Sequence, residues 1–141
     1  MRTPDVNVLL YAVNRDCNQH SIAKAWMADS FARPQGIGFA WIALLGFLRI
    51  ATRPGIFSKP LNVEEALAVV DVWLSRPGAS ILNPSERHAG VLARLLMGAG
   101  SAGNLVSDAH LAALAIEHSA ELGSFDRDFE RFAGLRFQLL R

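Results

Sequence analysis

Apolar residues occur along the chain in short blocks with two different spacings. Residues 6–13 form a continuous apolar run, which is typical of a strand covered on both faces in a parallel sheet. Residues 20–32 show helical spacing instead, and Pro34 ends that helix because the residue before a proline disfavours helical angles. We therefore predict a first strand over 6–13 and a first helix over 20–32.

The alternation continues to the end of the chain. Further strands are predicted over residues 37–39, 79–82, 121–125 and 136–140. Further helices are predicted over residues 41–50, 62–74, 87–97 and 107–118, with a loop over 52–60, a turn over 98–104 and a short helix through Phe129 and Phe132. Right-handed crossovers between parallel strands place helices on both faces of a sheet. The predicted fold class is α/β: one three-layer α/β/α domain over 1–141, with a central, mainly parallel sheet of four to five short strands.

The composition predicts a full hydrophobic core and apolar surface left over for a partner. Hydrophobic residues make up 51% of the chain and charged residues only 19%. The net charge of +1 neither favours nor excludes nucleic acid, so any attraction has to come from local patches. The single cysteine, Cys17, excludes an internal disulfide and is consistent with a reducing compartment. Because the run over 6–13 is too short to span a membrane, we expect a cytoplasmic protein.

Aspartates occupy positions where parallel sheets bind ligands, which is beyond the carboxyl ends of the strands. Asp126 follows the strand over 121–125, Asp108 lies in the first turn of a helix, and Asp5 lies at the start of the first predicted strand or just inside it. Each has an ordinary alternative: Asp5 as a solvated terminal acid, Asp108 as a helix cap, and Asp126 with Asp128 as turn residues. If these acids cluster, their repulsion requires a cation, and oxygen ligands alone favour magnesium or manganese, which suits phosphoryl chemistry.

Four segments, in this order, resemble PIN-domain nucleases and the VapC toxins in particular. Residues 5–12 (DVNVLLYA) resemble the opening strand of that family, and residues 103–115 (GNLVSDAHLAALA) resemble the helix that carries its third acid. Residues 124–129 (SFDRDF) resemble the turn with the fourth acid, and residues 132–137 (FAGLRF) resemble the end of the domain. The resemblance covers essentially the whole chain and implies a PIN-like fold.

The resemblance also implies an activity and a set of site residues. Asp5, Asp108 and Asp126 would be catalytic and would bind Mg²⁺, or Mn²⁺ in its place. Asp128 would be an auxiliary acid that holds a second ion or a water molecule on the first. The implied function is a metal-dependent endoribonuclease that hydrolyses RNA with a water activated by magnesium. As the toxin of a VapBC-type pair, it would form a homodimer and be inhibited by a VapB-like antitoxin.

Four other polar residues near these motifs receive lesser roles. By the same resemblance, Asn7 and Ser124 hydrogen-bond the carboxylates and fix their geometry, with strand-end capping as the ordinary alternative. His110 and His118 are interpreted as packing or surface residues and not as metal ligands.

The chain departs from the family at one position. The family usually has a glutamate where this chain has Gly46, and the helix around it contains no acid. This keeps a second hypothesis open: a catalytically weakened or inactive PIN-fold module that binds RNA or protein. Arg49, one turn further on, is either a solvated helix charge or a contact for a phosphate or carboxylate. A phosphoacceptor signalling domain is excluded, because the third strand is followed by Asn83 instead of an aspartate and no lysine follows the fifth.

Overall fold

The computed structural model describes residues 1–100 and 103–141. In this part of the chain the strands are β1 (Arg2–Pro4), β2 (Ile37–Phe39), β3 (Ala79–Ile81), β4 (Glu121–Ser124) and β5 (Phe137–Leu139). The α-helices are α1 (Val6–Val13), α2 (His20–Ala32), α3 (Trp41–Ala51), α4 (Val63–Ser75), α5 (His88–Ala99) and α6 (Val106–Glu117). All five strands are parallel and lie in the order β3-β2-β1-β4-β5.

Helices cover both faces of the sheet, each over its own hydrophobic core. On one face, α1 to α4 pack around Phe39 and Phe47, both fully buried. On the other face, α5 and α6 pack with Leu122 and Phe129. The predicted three-layer α/β/α architecture with a parallel sheet is therefore confirmed. None of the described helices is both long enough and apolar enough to cross a membrane.

The predicted strand over 6–13 is wrong: Val6–Val13 is the helix α1, and the strand is the three residues before it. A short apolar run fits a packed helix as well as a buried strand, because it is too short for its periodicity to distinguish them. The change of structure occurs at Asp5, which has extended backbone angles and accepts the Val6 N–H at 2.7 Å as the helix N-cap. Asp5 therefore lies beyond the carboxyl end of β1, neither at the start of a strand nor inside one.

The other predicted strands and α-helices are confirmed to within two residues at each end. Helix α4 begins with a reciprocal capping box, in which Asn62 and Glu65 each accept the other's backbone N–H. The predicted short helix is a 3₁₀ helix over Arg127–Arg131. Of the predicted turn over 98–104, residues 101 and 102 lie outside the described residues, and Gly103–Leu105 is a 3₁₀ turn leading into α6.

Candidate active site

The order of the strands places a binding site beside β1. Chain order runs outward from β1 in both directions, through β2 to one edge and through β4 to the other, so β1 and β4 flank the switch point of the sheet. Ligands of open parallel sheets bind at that point, outside the carboxyl ends of the strands. Asp5 directly follows β1, and Asp126 is two residues beyond the end of β4. The structure therefore places both acids at the expected edge.

The Asp5 carboxylate is buried and held from two sides. One oxygen accepts the Val6 N–H at 2.7 Å, and the other accepts the Ser124 hydroxyl at 2.7 Å. Burial raises the pKa of Asp5, and the nearby Asp126 charge adds to the rise, while the two hydrogen bonds oppose it. A carboxylate oxygen that accepts one hydrogen bond keeps a lone pair for another partner. Asp5 is therefore fixed in orientation and still able to bind a cation.

Ser124 links the acids at the ends of β1 and β4. Its hydroxyl donates to Asp5 and accepts the side-chain amide of Asn7 at 3.1 Å and the backbone N–H of Asp126 at 3.0 Å. Asn7 in turn accepts the Phe125 N–H at 3.2 Å. The predicted hydrogen bond to a carboxylate is present for Ser124, whereas Asn7 contacts Ser124 and the Phe125 backbone instead of a carboxylate. These contacts tie α1 to the loop after β4.

Asp108 is brought to the same place by the first turn of α6, where a helix N-terminus favours negative charge. It is half-buried, and its pKa is raised to about 6. Burial is the largest cause, followed by repulsion from Asp5, Asp126 and Asp128, and the Arg131 charge opposes the rise. Four acids from three separate segments of the chain are thus close enough for the charges of three of them to act on Asp108.

The turn after β4 carries the two remaining acids. Asp126 caps the 3₁₀ helix by accepting the Asp128 N–H at 2.9 Å, so the expected turn chemistry is present as well. Asp128 is exposed and pairs with Arg131, whose Nη2 lies 3.3 Å from a carboxylate oxygen. Sequence reasoning missed Arg131; the signal was its position three residues after Asp128 on a helical turn.

A cleft of about 140 Å³ opens beside these acids. Asp5 and Asp108 line it together with Gly46 and Arg49 on α3, with further lining from Val6, Ile42, Ala43, Ser107 and Leu111. The position predicted to lack the family's glutamate therefore faces the site. It is also tightly packed, because a Cβ atom at Gly46 would lie 2.9 Å from a Val6 methyl group.

The donors at the site fit a magnesium ion that keeps much of its water. All of the clustered donors are carboxylate oxygens, with no thiolate or imidazole among the residues that line the cleft. Across 1–100 and 103–141, no three acidic, histidine or cysteine side chains are close enough together to enclose one ion. Magnesium does not need such a cage, since it is usually bound through one or two carboxylates and several waters.

The histidines predicted to be structural make contacts away from this cleft. The His110 and His88 rings meet at 2.9 Å between ring nitrogens, joining α6 to α5. His118 contacts the Asn83 carbonyl at 2.7 Å. Neither lies among the residues that line the cleft.

Comparison with known proteins agrees with this geometry. The PIN domain family model matches residues 3–135. Ribonuclease VapC37 of Mycobacterium tuberculosis is 47% identical over 137 residues, covering 97% of this chain and 95% of that protein.

Among solved structures, VapBC2 from Rickettsia felis, bound to a DNA fragment from its promoter, superposes with a TM-score of 0.71 at 19% identity, covering 99% of this chain and 98% of that one. VapC20 of Mycobacterium tuberculosis, described as a sarcin-ricin loop cleaving toxin, gives a TM-score of 0.67 at 16% identity, covering 96% and 99%. Fold, acidic cleft and sequence similarity together place this chain in the PIN-domain family, among its VapC-type members.

Proposed function

We propose that this protein is a metal-dependent endoribonuclease and the toxin of a VapBC-type toxin–antitoxin pair. The observation that carries the proposal is the open cleft lined by Asp5 and Asp108, two acids from distant parts of the chain. The raised pKa of Asp108, caused by its burial and then by the charges of Asp5, Asp126 and Asp128, supports this clustering. Such a cluster is costly to the fold unless it binds a cation. An acidic metal site in an open cleft suits the hydrolysis of a phosphodiester.

Each acid has its own part in this proposal. Asp5, Asp108 and Asp126 would hold a magnesium or manganese ion, one or two of them directly and the others through its water molecules, with Asp128 assisting at the exposed side. The ion, when bound, activates a water molecule for attack on phosphorus and screens the charge that develops on the phosphate. Ser124 holds Asp5 and the backbone of Asp126 in place, so their carboxylates are set before the ion arrives.

The substrate and the partner are inferred from the relatives. The similar VapC37 is named a ribonuclease, and a structure of the same fold from Klebsiella pneumoniae is described as a toxin–antitoxin complex. RNA as substrate supports a cytoplasmic location for this activity. Large apolar side chains lie exposed on α3 and α4, among them Trp41, Leu45, Leu67 and Val72, and are available for an antitoxin or a second copy of the chain.

The test is cleavage of structured and unstructured RNA by purified protein that is folded and free of antitoxin. Cleavage is expected with Mg²⁺ and with Mn²⁺ and not with chelator. Asp126→Asn should cut far more slowly, whereas Asp71→Asn, which removes an exposed acid on α4, should cut normally. The absence of cleavage with either metal would instead favour the second candidate, an inactive PIN-fold binding module. The observation that favours this second candidate is that Gly46 contributes no carboxylate to the cleft.

Ser124→Ala is expected to lower metal affinity or activity by about 10- to 100-fold, as the loss of a group that orients a metal ligand does. It removes the donor to Asp5 and leaves the Asn7 amide and the Asp126 N–H without their acceptor. Binding of Mn²⁺ measured by calorimetry checks this. Ser58→Ala, which removes an exposed hydroxyl bonded to Asp16, is the matched control and should leave binding unchanged.

A further inference from the structure

Two arginines lie near the acids, and the structure separates their roles. Arg131 is engaged: it pairs with the Asp128 carboxylate, donates to the Asp128 carbonyl at 3.1 Å, and lowers the pKa of Asp108. Arg49 lines the same cleft as Asp5 and Asp108, yet it is not among the charges that shift the pKa of Asp108. Among the described residues, Arg49 takes part in no ion pair and no side-chain hydrogen bond.

The Arg49 side chain is not needed to stabilise the C-terminal end of α3. A cation in the last turn of a helix can stabilise the free carbonyl groups there. In this helix Thr52 already performs that task, with its hydroxyl 2.7 Å from the Leu48 carbonyl and 3.5 Å from the Arg49 carbonyl. The Arg49 guanidinium is therefore exposed and free to contact a ligand in the cleft.

The chemistry of the cleft calls for such a cation. An RNA strand brings phosphate charges to a site that already holds several carboxylates, and the catalytic ion neutralises only those next to it. A guanidinium presents two parallel N–H groups that match phosphate oxygens. The α3 wall has no acidic residue between 41 and 51 to compete for it. Gly46, one turn before Arg49, also lines the cleft and adds no side chain to it.

We propose that Arg49 binds a phosphate of the RNA strand in the cleft and so holds the strand beside Asp5 and Asp108. This inference rests on the proposed nuclease function, because it names a contact for the substrate of that site. Arg49 is then a substrate-binding residue, and its contribution lies in affinity for RNA and not in the chemical step.

The test measures binding of a fluorescently labelled, single-stranded 12-nucleotide RNA in chelator, where no cleavage occurs. Arg49→Ala should weaken binding at least fivefold and lower the slope of log Kd against log salt by about 0.7, the value for one phosphate contact on a single strand. The RNA affinity of Arg49→Lys should lie between those of the wild-type protein and Arg49→Ala, since lysine keeps the charge without the paired donors. Arg94→Ala, which removes an exposed arginine on α5, is the matched control and should change binding less than twofold.

Equal binding by Arg49→Ala and Arg94→Ala, or no binding of the probe by the wild-type protein, would overturn this assignment. In cleavage assays Arg49→Ala should raise KM at least fivefold with kcat within about threefold; a fall in kcat alone would also overturn it. The two proposals fail separately. A wild-type protein that cuts no RNA but loses probe binding through Arg49→Ala would support Arg49 and contradict the nuclease. Normal cleavage and normal probe binding by Arg49→Ala would support the nuclease and contradict the role of Arg49.

Discussion

Asp108→Asn is expected to abolish RNA cleavage and, without metal, to make the folded protein more stable. The loss of activity should be at least about 100-fold, the upper range for losing even an outer partner of a metal site. The gain in stability follows from the raised pKa of Asp108, since the neutral amide removes a charge repelled by Asp5, Asp126 and Asp128. An asparagine has nearly the same shape, so packing changes little.

Because the pKa of Asp108 is raised in the folded protein, the stability cost of this residue depends on pH. Between about pH 4, the ordinary pKa of an aspartate, and about pH 6, the folded protein binds more protons than the unfolded chain. The wild-type protein therefore loses stability as pH rises through this window, and the whole cost is present above it. Raising the pKa of Asp108 from about 4 to about 6 would correspond to about 3 kcal/mol in the free energy of unfolding if the group were fully buried. Because Asp108 is half exposed to solvent, we expect about 1–2 kcal/mol.

Thermal unfolding in chelator measures this directly. At pH 7.5 Asp108→Asn should unfold about 3–6 °C above the wild-type protein, and at pH 4 the two should coincide. Asp71→Asn makes the same change in net charge on the surface of α4 and should not shift the midpoint. Added Mg²⁺ should stabilise the wild-type protein more than Asp108→Asn. An Asp108→Asn protein no more stable than Asp71→Asn at pH 7.5 would show that the acids do not repel one another as described.

Gly46→Glu, which supplies the glutamate usual in the family, is expected to destabilise the protein by about 1–3 kcal/mol, as overpacking does. A Cβ at this position would lie 2.9 Å from a Val6 methyl group. Valine cannot easily turn that methyl away, because its branched side chain has one strongly preferred rotamer in a helix. Val6 on α1 therefore leaves no room for a glutamate side chain at position 46 on α3 unless one of the two residues shifts.

A double-mutant cycle measures this match. Val6→Ala should recover most of the stability lost in Gly46→Glu, giving a coupling energy of about 1 kcal/mol or more. The double variant should also bind Mn²⁺ more tightly than the wild-type protein, since a third carboxylate would join those of Asp5 and Asp108 in the cleft. Val6→Ala alone is the control for the lost methyl groups. A Gly46→Glu protein as stable as the wild type would show that Val6 does not restrict this position.

The sequence could predict the acids and most of the elements because both depend on local patterns. Periodicity gives the long helices, and Asp126 and Asp108 each follow recognisable element boundaries. The strand β1 could not be found this way: its three residues include a charge and a proline. Arg2 is buried there only because it pairs with Asp29 at 2.7 Å and lies over the Trp26 ring.

Contacts through space were equally invisible in the sequence. The packing of Val6 against Gly46 joins positions 40 residues apart, and no local pattern encodes it. The raised pKa of Asp108 depends first on its burial and then on repulsion from three acids that are distant from it in sequence. The predicted location of Asp5, at the start of the first strand or inside it, was wrong for the same reason as the prediction of that strand. A short apolar run does not distinguish a strand from a helix. The structure corrects the strand and brings Asp5 to the predicted edge of the sheet.

The measurement that tests the central claim most directly is anomalous X-ray scattering from crystals of the protein grown with Mn²⁺. The account predicts a manganese peak in the cleft, with carboxylate oxygens of Asp5 and Asp108 or Asp126 at about 2.0–2.3 Å. The peak should be absent or much weaker in Asp108→Asn. No peak in the cleft of the wild-type protein, or an equal peak in both proteins, would contradict the assignment of these aspartates as the metal site.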